Sequence, residues 1–412
     1  MTRRHERGAT LVLVVVGLLA LIAMAGLALD TAHVLLNKSR LQSALDAAAL
    51  AGAKALSQSV STSTATAAAS SVFTLNLAQY PELRNAVNGG LTLVTEYSAT
   101  LNPFSPGTIP AKFVRTSVTG FATQMSLISV LGISSINVAG NAVAGPSPPI
   151  VSACNVVPVF MCANPAQPPL YGYQVDQVVG LNQVTGTTSA IGPGNYGLLS
   201  LGGNGASIVR NNLAGSYASC VSTGPNVPTE PGVAAGPVSQ GINTRFNDYK
   251  AGLSPATYPP DVINTAAHQT NLTTDTTAAG CTPNTAPCIK QGSTVVTTAT
   301  QLNFNYASYN ALLTSKSYDT QPLPAPNGAA FGRRILAVPL GDCTGAANGK
   351  NSVTVSGFAC VFLLQQLPNG SNDTIYGQII KSCDSGGRPG TGGGTTGPYI
   401  IELYKSAGSP DS

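Results

Sequence analysis

The chain has 412 residues, a net charge of +4 at pH 7 and only 9% charged residues, against about a quarter in ordinary soluble domains. So small a charge, part of it in an N-terminal arginine cluster, gives no basis for a nucleic-acid groove. Disorder is excluded too, since it needs high net charge with low hydrophobicity, and 43% of the residues are hydrophobic.

The first element opens with a basic leader, residues 1–8, containing Arg3, Arg4 and Arg7. An uncharged apolar run follows from Ala9 to Leu29. At about 1.5 Å rise per residue, such a run forms a helix of roughly 31 Å, matching the roughly 30 Å hydrocarbon core of a bilayer. A cleaved secretory signal is the competing reading. Its apolar region is shorter, about 7–15 residues, and ends at a small-residue cleavage site, whereas here the run continues without a turn signal into Asp30-Thr-Ala-His-Val-Leu-Leu. Arginines on the near side and only Asp30 on the far side before Lys38 place residues 1–8 in the cytoplasm by the positive-inside rule. Everything beyond Asp30 is then exported.

After Asp30 the chain predicts an amphipathic, alanine-rich helix. Val34, Leu41, Leu45, Ala48, Gly52 and Leu56 form one apolar, small-residue stripe. This candidate interface suits packing on the protein's own globular part or on helices of other proteins in a complex. The string Arg7-Gly8-Ala9-Thr10-Leu11-Val12, the apolar run, Gly26-Leu27-Ala28-Leu29-Asp30 and then Leu41-Gln42-Ser43-Ala44-Leu45-Asp46-Ala47-Ala48-Ala49-Leu50-Ala51-Gly52-Ala53 resemble the N-terminal module of TadG-like Flp/Tad pilus-assembly proteins. The resemblance implies a bacterial inner-membrane protein of the tight-adherence pilus system, with a pilin-like anchor helix and other Tad/Flp assembly or pilin-like proteins as partners. A prepilin-type peptidase would cut between Gly8 and Ala9. Prepilins usually carry a glutamate five residues into the mature chain, and Leu13 stands there instead, which favours a retained anchor.

Residues 57–71 are almost wholly Ser, Thr and Ala and read either as more helix or as a spacer. Strands are predicted over 91–98 and 112–120, a helix over 121–131 from the spacing of Phe121, Met125, Ile128 and Leu131, and a strand over 135–144. Together residues 30–145 form a pilin-like helix with a small β-β-α-β layer. TadG-like chains share a similar pattern in Phe113–Val118, Leu131–Ser134 and Ala142–Ala144.

Gly145-Pro-Ser-Pro-Pro149 reads as a linker. Beyond it, residues 150–412 predict an exported β-rich domain with Gly/Pro/Thr-rich loops. Of the short apolar runs at 156–160, 171–179, 196–201, 206–210, 333–340, 353–365, 374–380 and 399–404, most read as strands, being too short and too rich in Val, Ile and Tyr for helices. Residues 255–300 read as a long loop and 386–397 as a glycine tract. The fold class is thus α+β, a long transmembrane, pilin-like helix with a small α+β layer and then a predominantly β, disulfide-containing domain. Phrases around Asn243–Phe246 and Arg334–Cys343 resemble the C-terminal region of TadG-like chains.

All eight cysteines, Cys154, Cys162, Cys220, Cys281, Cys288, Cys343, Cys360 and Cys383, lie beyond residue 150. An even set confined there reads as disulfides from an oxidising compartment, with about a hundred formal pairings. The local pairs Cys154 with Cys162 and Cys281 with Cys288 come first by proximity. Their spacings do not suit structural zinc.

No enzyme signature, metal site or cofactor motif emerges. Asp-x-Ser-x-Ser, the cation motif of many TadG-like chains, is missing, as are a phosphate loop, His-Glu-x-x-His and Gly-x-Ser-x-Gly. His268 reads as a solvent-exposed loop residue, and the carboxylates are scattered. The sequence therefore reads as a membrane-anchored structural or assembly component of a Tad/Flp-type pilus, acting by protein docking. The alternative is a surface adhesin or glycan-binding module on the same anchor.

Overall fold

The computed structural model describes residues 6–59, 61–164, 166–167, 170–181, 195–232, 235–275, 288–343, 352–368, 374–383, 388–389 and 399–405. The chain forms two compact units, divided after Pro146 and again before Ile401.

The first unit is built on helix α1, Glu6–Ser59, which runs for 54 residues. Helix α2, Thr62–Leu77, folds back against it, with the Ser61 side chain accepting a hydrogen bond from Thr64 N at its start. The Ser/Thr/Ala segment is thus helical, because Ala65, Ala69, Phe73 and Leu77 recur every fourth residue and bury one face. Helix α3, Pro81–Asn88, follows with proline in its first turn.

Strands β1 (Val94–Ser98), β2 (Phe113–Gln124) and β3 (Ser135–Pro146) form an antiparallel sheet, which the C-terminal strand Ile401–Tyr404 completes beside β3. The expected last strand therefore belongs to the first unit and not to the second. The sheet covers α1. Val114, Val118, Phe121, Val138, Ala142 and Ala144 share one core with Leu41, Leu45, Ala48, Ala49, Ala53 and Leu56.

The helix expected over 121–131 does not form. Strand β2 continues to Gln124, and only a 3-10 turn, Ile128–Leu131, follows. The four-residue step from Phe121 to Met125 is common to a helix face and a strand face. Burial of Phe121, Thr123 and Met125, with Ala122 and Gln124 exposed, shows the period of two.

In the second unit a ten-stranded sheet collects β4 (Ile150–Val156), β5 (Met161–Ala163), β6 (Val178–Gly180), β7 (Asn195–Leu199), β8 (Tyr217–Ser222) and β9 (Asn226–Pro231) around a central pair. A separate three-stranded sheet holds β10 (Leu272–Asp275), β11 (Cys288–Gln291) and β12 (Thr294–Val295). The central antiparallel pair is β13 (Ile335–Asp342) and β14 (Ser352–Leu363), with β15 (Tyr376–Ile380) beside β14. Most of β14 is buried on both faces, which explains its near-continuous apolar run. Alternate residues feed two cores. Ala359, Val361 and Leu363 join α4 (Ala206–Gly215) and α5 (Ala235–Asn243), whereas Cys360 and Phe362 join Tyr309 of α6 (Tyr306–Thr314).

The second unit is therefore mixed α/β. Residues 206–210, one of the short apolar runs, open α4 instead of a strand. The Glu230 carboxylate accepts from Gly205 N at 2.9 Å, holding the residue that precedes the helix, while Val209 and Leu213 are buried one turn apart. The expected loop over 255–300 contains β10–β12 and 3-10 turns at Ala266–His268 and Ala299–Gln301. Residues 276–287, and the glycine tract apart from Arg388–Pro389, lie outside the described residues.

Among the described residues three disulfides have both partners in view: Cys154–Cys220, Cys162–Cys343 and Cys360–Cys383, with sequence separations of 66, 181 and 23. The expected local pair Cys154–Cys162 does not form. Antiparallel pairing of β4 with β8 sets Cys154 opposite Cys220, and parallel pairing of β5 with β13 brings Cys162 close to Cys343. Cys288 is also disulfide-bonded, and Cys281 lies outside the described residues.

Candidate functional site: the apolar helix and its clamp

Among its described side chains, the N-terminal half of α1 has almost no protein around it. Leu13, Leu21 and Leu29 are 71%, 64% and 64% exposed, and Val12, Val16, Leu18, Ile22, Met24 and Leu27 are exposed as well. An 18-residue window of this helix has a mean hydropathy of 2.9, so the helix is long and apolar enough to cross a membrane. Gly8 and Ala9, the candidate cleavage pair, lie in its first turns.

Burial begins abruptly at Gly26 and Asp30, which lie on one face one turn apart. Both Asp30 carboxylate oxygens receive backbone donors from the tip of the β2–β3 hairpin: Ser126 N at 3.1 Å, Leu127 N at 2.9 Å and Ile128 N at 2.6 Å. Asp30 thus caps the 3-10 turn from another element. The free N–H groups at a helical start attract an anion, and here the chain supplies its own. Gly26 makes room for this contact, since a Cβ there would lie 3.0 Å from Leu127 Cβ. The Gly-Leu-Ala-Leu-Asp signature therefore has a physical reason: a small residue for close approach and a carboxylate to hold what approaches.

Further ties run along the helix. Glu82 of α3 accepts from Asn37 Nδ2 and from Gln124 N, and pairs with His33 at 2.8 Å. Gln42 Nε2 donates to Asn141 O and to Asp46 Oδ1, and Thr116 Oγ1 donates to Leu45 O. At Gly52 an added Cβ would meet Val114 Cγ1 at 3.2 Å and Ala69 Cβ at 3.3 Å, so β2, α2 and α1 meet at a residue without a side chain.

Of the candidate interface stripe, Leu41, Leu45, Ala48, Gly52 and Leu56 are buried and Val34 is half-buried, all against the unit's own sheet and helices. That face is occupied from within. The outward apolar residues of α1 are those of the N-terminal half together with Leu35 and Leu36.

The second unit holds a buried cationic cluster that sequence reasoning missed. Arg334, 0% exposed, donates to Leu363 O, Leu364 O, Ile263 O and His268 O, and sits against the rings of Phe362 and Phe246 at 4.6 and 4.8 Å. Arg245 donates to Leu213 O and Arg333 O, and Arg333 to Pro259 O and Ala214 O. Asp261 accepts from Tyr309 Oη, Arg334 N and Ile263 N. Burial lowers the Arg334 pKa to about 10 and raises that of Asp261. These arginines staple backbone carbonyls together, and all five guanidinium donors suit that task. The one available signal was Arg333-Arg334 at the head of an apolar strand, where a buried charge must find partners.

His268 is not the solvent-exposed loop residue expected. Its Nδ1 lies 2.9 Å from Asp319, its ring packs on Phe304, and Asp319 also accepts from Asn264 N and Thr265 N. The pair holds a turn together. Among the described residues no group of three or more His, Cys, Asp or Glu could hold a metal ion. A cleft of about 350 Å³ is lined by Asn211, Asn212, Ser216, Tyr258 and Arg333, whose guanidinium is committed to the carbonyls named above.

No curated protein and no solved structure matches the chain. The apolar run and the clamped helix, residues 8–55, match the family model of TadE/G-like Flp pilus-assembly proteins, and this segment is a TadE/G-like domain.

Proposed function

We propose that the protein is a minor-pilin-like structural component of a Tad/Flp-type pilus-assembly apparatus, held in the bacterial inner membrane by residues 9–29 and acting by docking to other Tad proteins. The carrying observation is the division of α1: residues 8–55 match the TadE/G-like domain, the first half of the helix is bare and apolar, and the second half is buried under its own sheet. In this reading residues 1–8 stay in the cytoplasm and uncleaved, since three arginines precede the span and Leu13 stands where prepilins carry glutamate. Both units project into the periplasm or beyond, and disulfides beyond residue 150 support an oxidising compartment.

The test is deletion of the gene in the source bacterium, complemented either by the full chain or by a chain whose residues 1–29 are replaced with a cleaved secretory signal. Sheared surface fibres are the readout. The proposal expects loss of fibres on deletion and rescue by the anchored chain alone. Unchanged fibres after deletion, or full rescue by the unanchored chain, would refute it.

A further inference from the structure

We propose that the tip of the β2–β3 hairpin is a second membrane contact, dipping into the lipid headgroup and upper acyl region beside the span. The inference rests on reading residues 9–29 as membrane-spanning. Its geometric basis is the Asp30 clamp. Three backbone donors at 126–128 fix the tip on α1, and Leu127 packs over Gly26, which lies within the apolar run. Gly26 lies three positions before Leu29, the end of that run, so at about 1.5 Å per residue the contact lies roughly 4–5 Å inside the apolar span. An interfacial element with one apolar face settles about 5–10 Å into the headgroup and acyl boundary, so the contact lies at a depth of that order.

The composition of the tip fits that location. Residues 125–136, Met-Ser-Leu-Ile-Ser-Val-Leu-Gly-Ile-Ser-Ser-Ile, carry no charge, and no charged residue occurs between Arg115 and Asp176. Leu127 and Ile133 of the tip and Ile136 at the start of β3 are 48%, 44% and 42% exposed, forming an apolar surface on a segment whose other exposed residues, among those described, are Ser and Gly. Lipid is the occupant favoured by continuity with the exposed apolar surface of α1, because the clamp holds this tip at the level where the bilayer reading places acyl chains. The contact would fix how the first unit sits on the membrane, since a span alone leaves the attached domain free to rotate and tilt.

The chain contains no tryptophan, so a single introduced indole reports its own surroundings. The full chain carrying Ile133→Trp or Ile136→Trp is reconstituted in phosphatidylcholine vesicles with and without brominated acyl chains. Val16→Trp in the span and Ile109→Trp, 86% exposed in the β1–β2 loop at the far end of β2, serve as references. The proposal expects blue-shifted emission and loss of intensity in brominated lipid at positions 133 and 136, as at position 16, and neither effect at 109. Quenching at 16 with unquenched, red-shifted emission at 133 and 136 would overturn the second contact and leave the anchor standing. No quenching at 16 would overturn the anchor and this inference together.

Discussion

Replacing Arg334 with lysine keeps the charge and removes the fork. The guanidinium reaches four carbonyl oxygens, with Leu363 O taken twice at 3.0 and 2.8 Å, Leu364 O and Ile263 O at 3.2 Å, and His268 O at 2.8 Å. A lysine ammonium has three donors on one nitrogen and cannot span these sites. About two buried carbonyls are then left unpaired at about 1–3 kcal/mol each, so Arg334→Lys should lose about 2–6 kcal/mol. For a unit of this size, at about 2–4 °C per kcal/mol, that lowers the melting temperature by roughly 4–24 °C. Arg334→Met, which also leaves Asp261 without its neighbouring cation, should lose more and fail to accumulate. The assay is thermal unfolding of the detergent-solubilised chain followed by tyrosine near-ultraviolet circular dichroism, with the exposed Arg84→Lys as control. An Arg334→Lys protein that melts with the wild type would refute the view that the carbonyls depend on a five-donor fork.

Leu45→Ala, at a 0% exposed position under the sheet, should destabilise the first unit by about 2–5 kcal/mol. The exposed Leu36→Ala should change it by less than about 0.5 kcal/mol, both read from proteolysis rates of the solubilised chain. In the second unit, burial raises the Asp319 carboxyl but is outweighed by hydrogen bonds from Thr265 N, His268 and Asn264 N, leaving a folded pKa below the usual value. A depressed carboxylate stabilises above the unfolded pKa and loses that contribution as pH falls through the folded one. Melting temperature should therefore fall below about pH 4, and Asp319→Asn should flatten that limb of the pH profile. Loop closure makes Cys162–Cys343, with 181 residues of separation, worth about 5 kcal/mol against about 3.5 kcal/mol for Cys360–Cys383, with 23. Removing the first pair should lower the urea midpoint further than removing the second.

What the sequence made legible was local. The apolar run, the alanine-rich helix and the strands of the first unit follow from periodicities within a few residues, and the Gly26–Asp30 signature could be matched before its reason was visible. That reason lies nearly a hundred positions away, in the N–H groups of residues 126–128. The expected pair Cys154–Cys162 failed the same way. Proximity in sequence favoured Cys154 with Cys162, while strand register decided for Cys220 and Cys343. The helix expected at 121–131 was lost because a four-residue spacing belongs to both periods. The arginine cluster was illegible because its partners are mostly carbonyl oxygens, which every residue carries and no motif records.

The most direct test of the anchored, exported account is the intact mass and N-terminal sequence of the protein isolated from native membranes without reductant. The account predicts a chain still carrying residues 3–8, with its cysteines oxidised. A chain beginning at Ala9 would contradict permanent anchoring and make the protein a cleaved pilin-like subunit. One beginning beyond about residue 25, where a secretory signal would end, would contradict the membrane span itself.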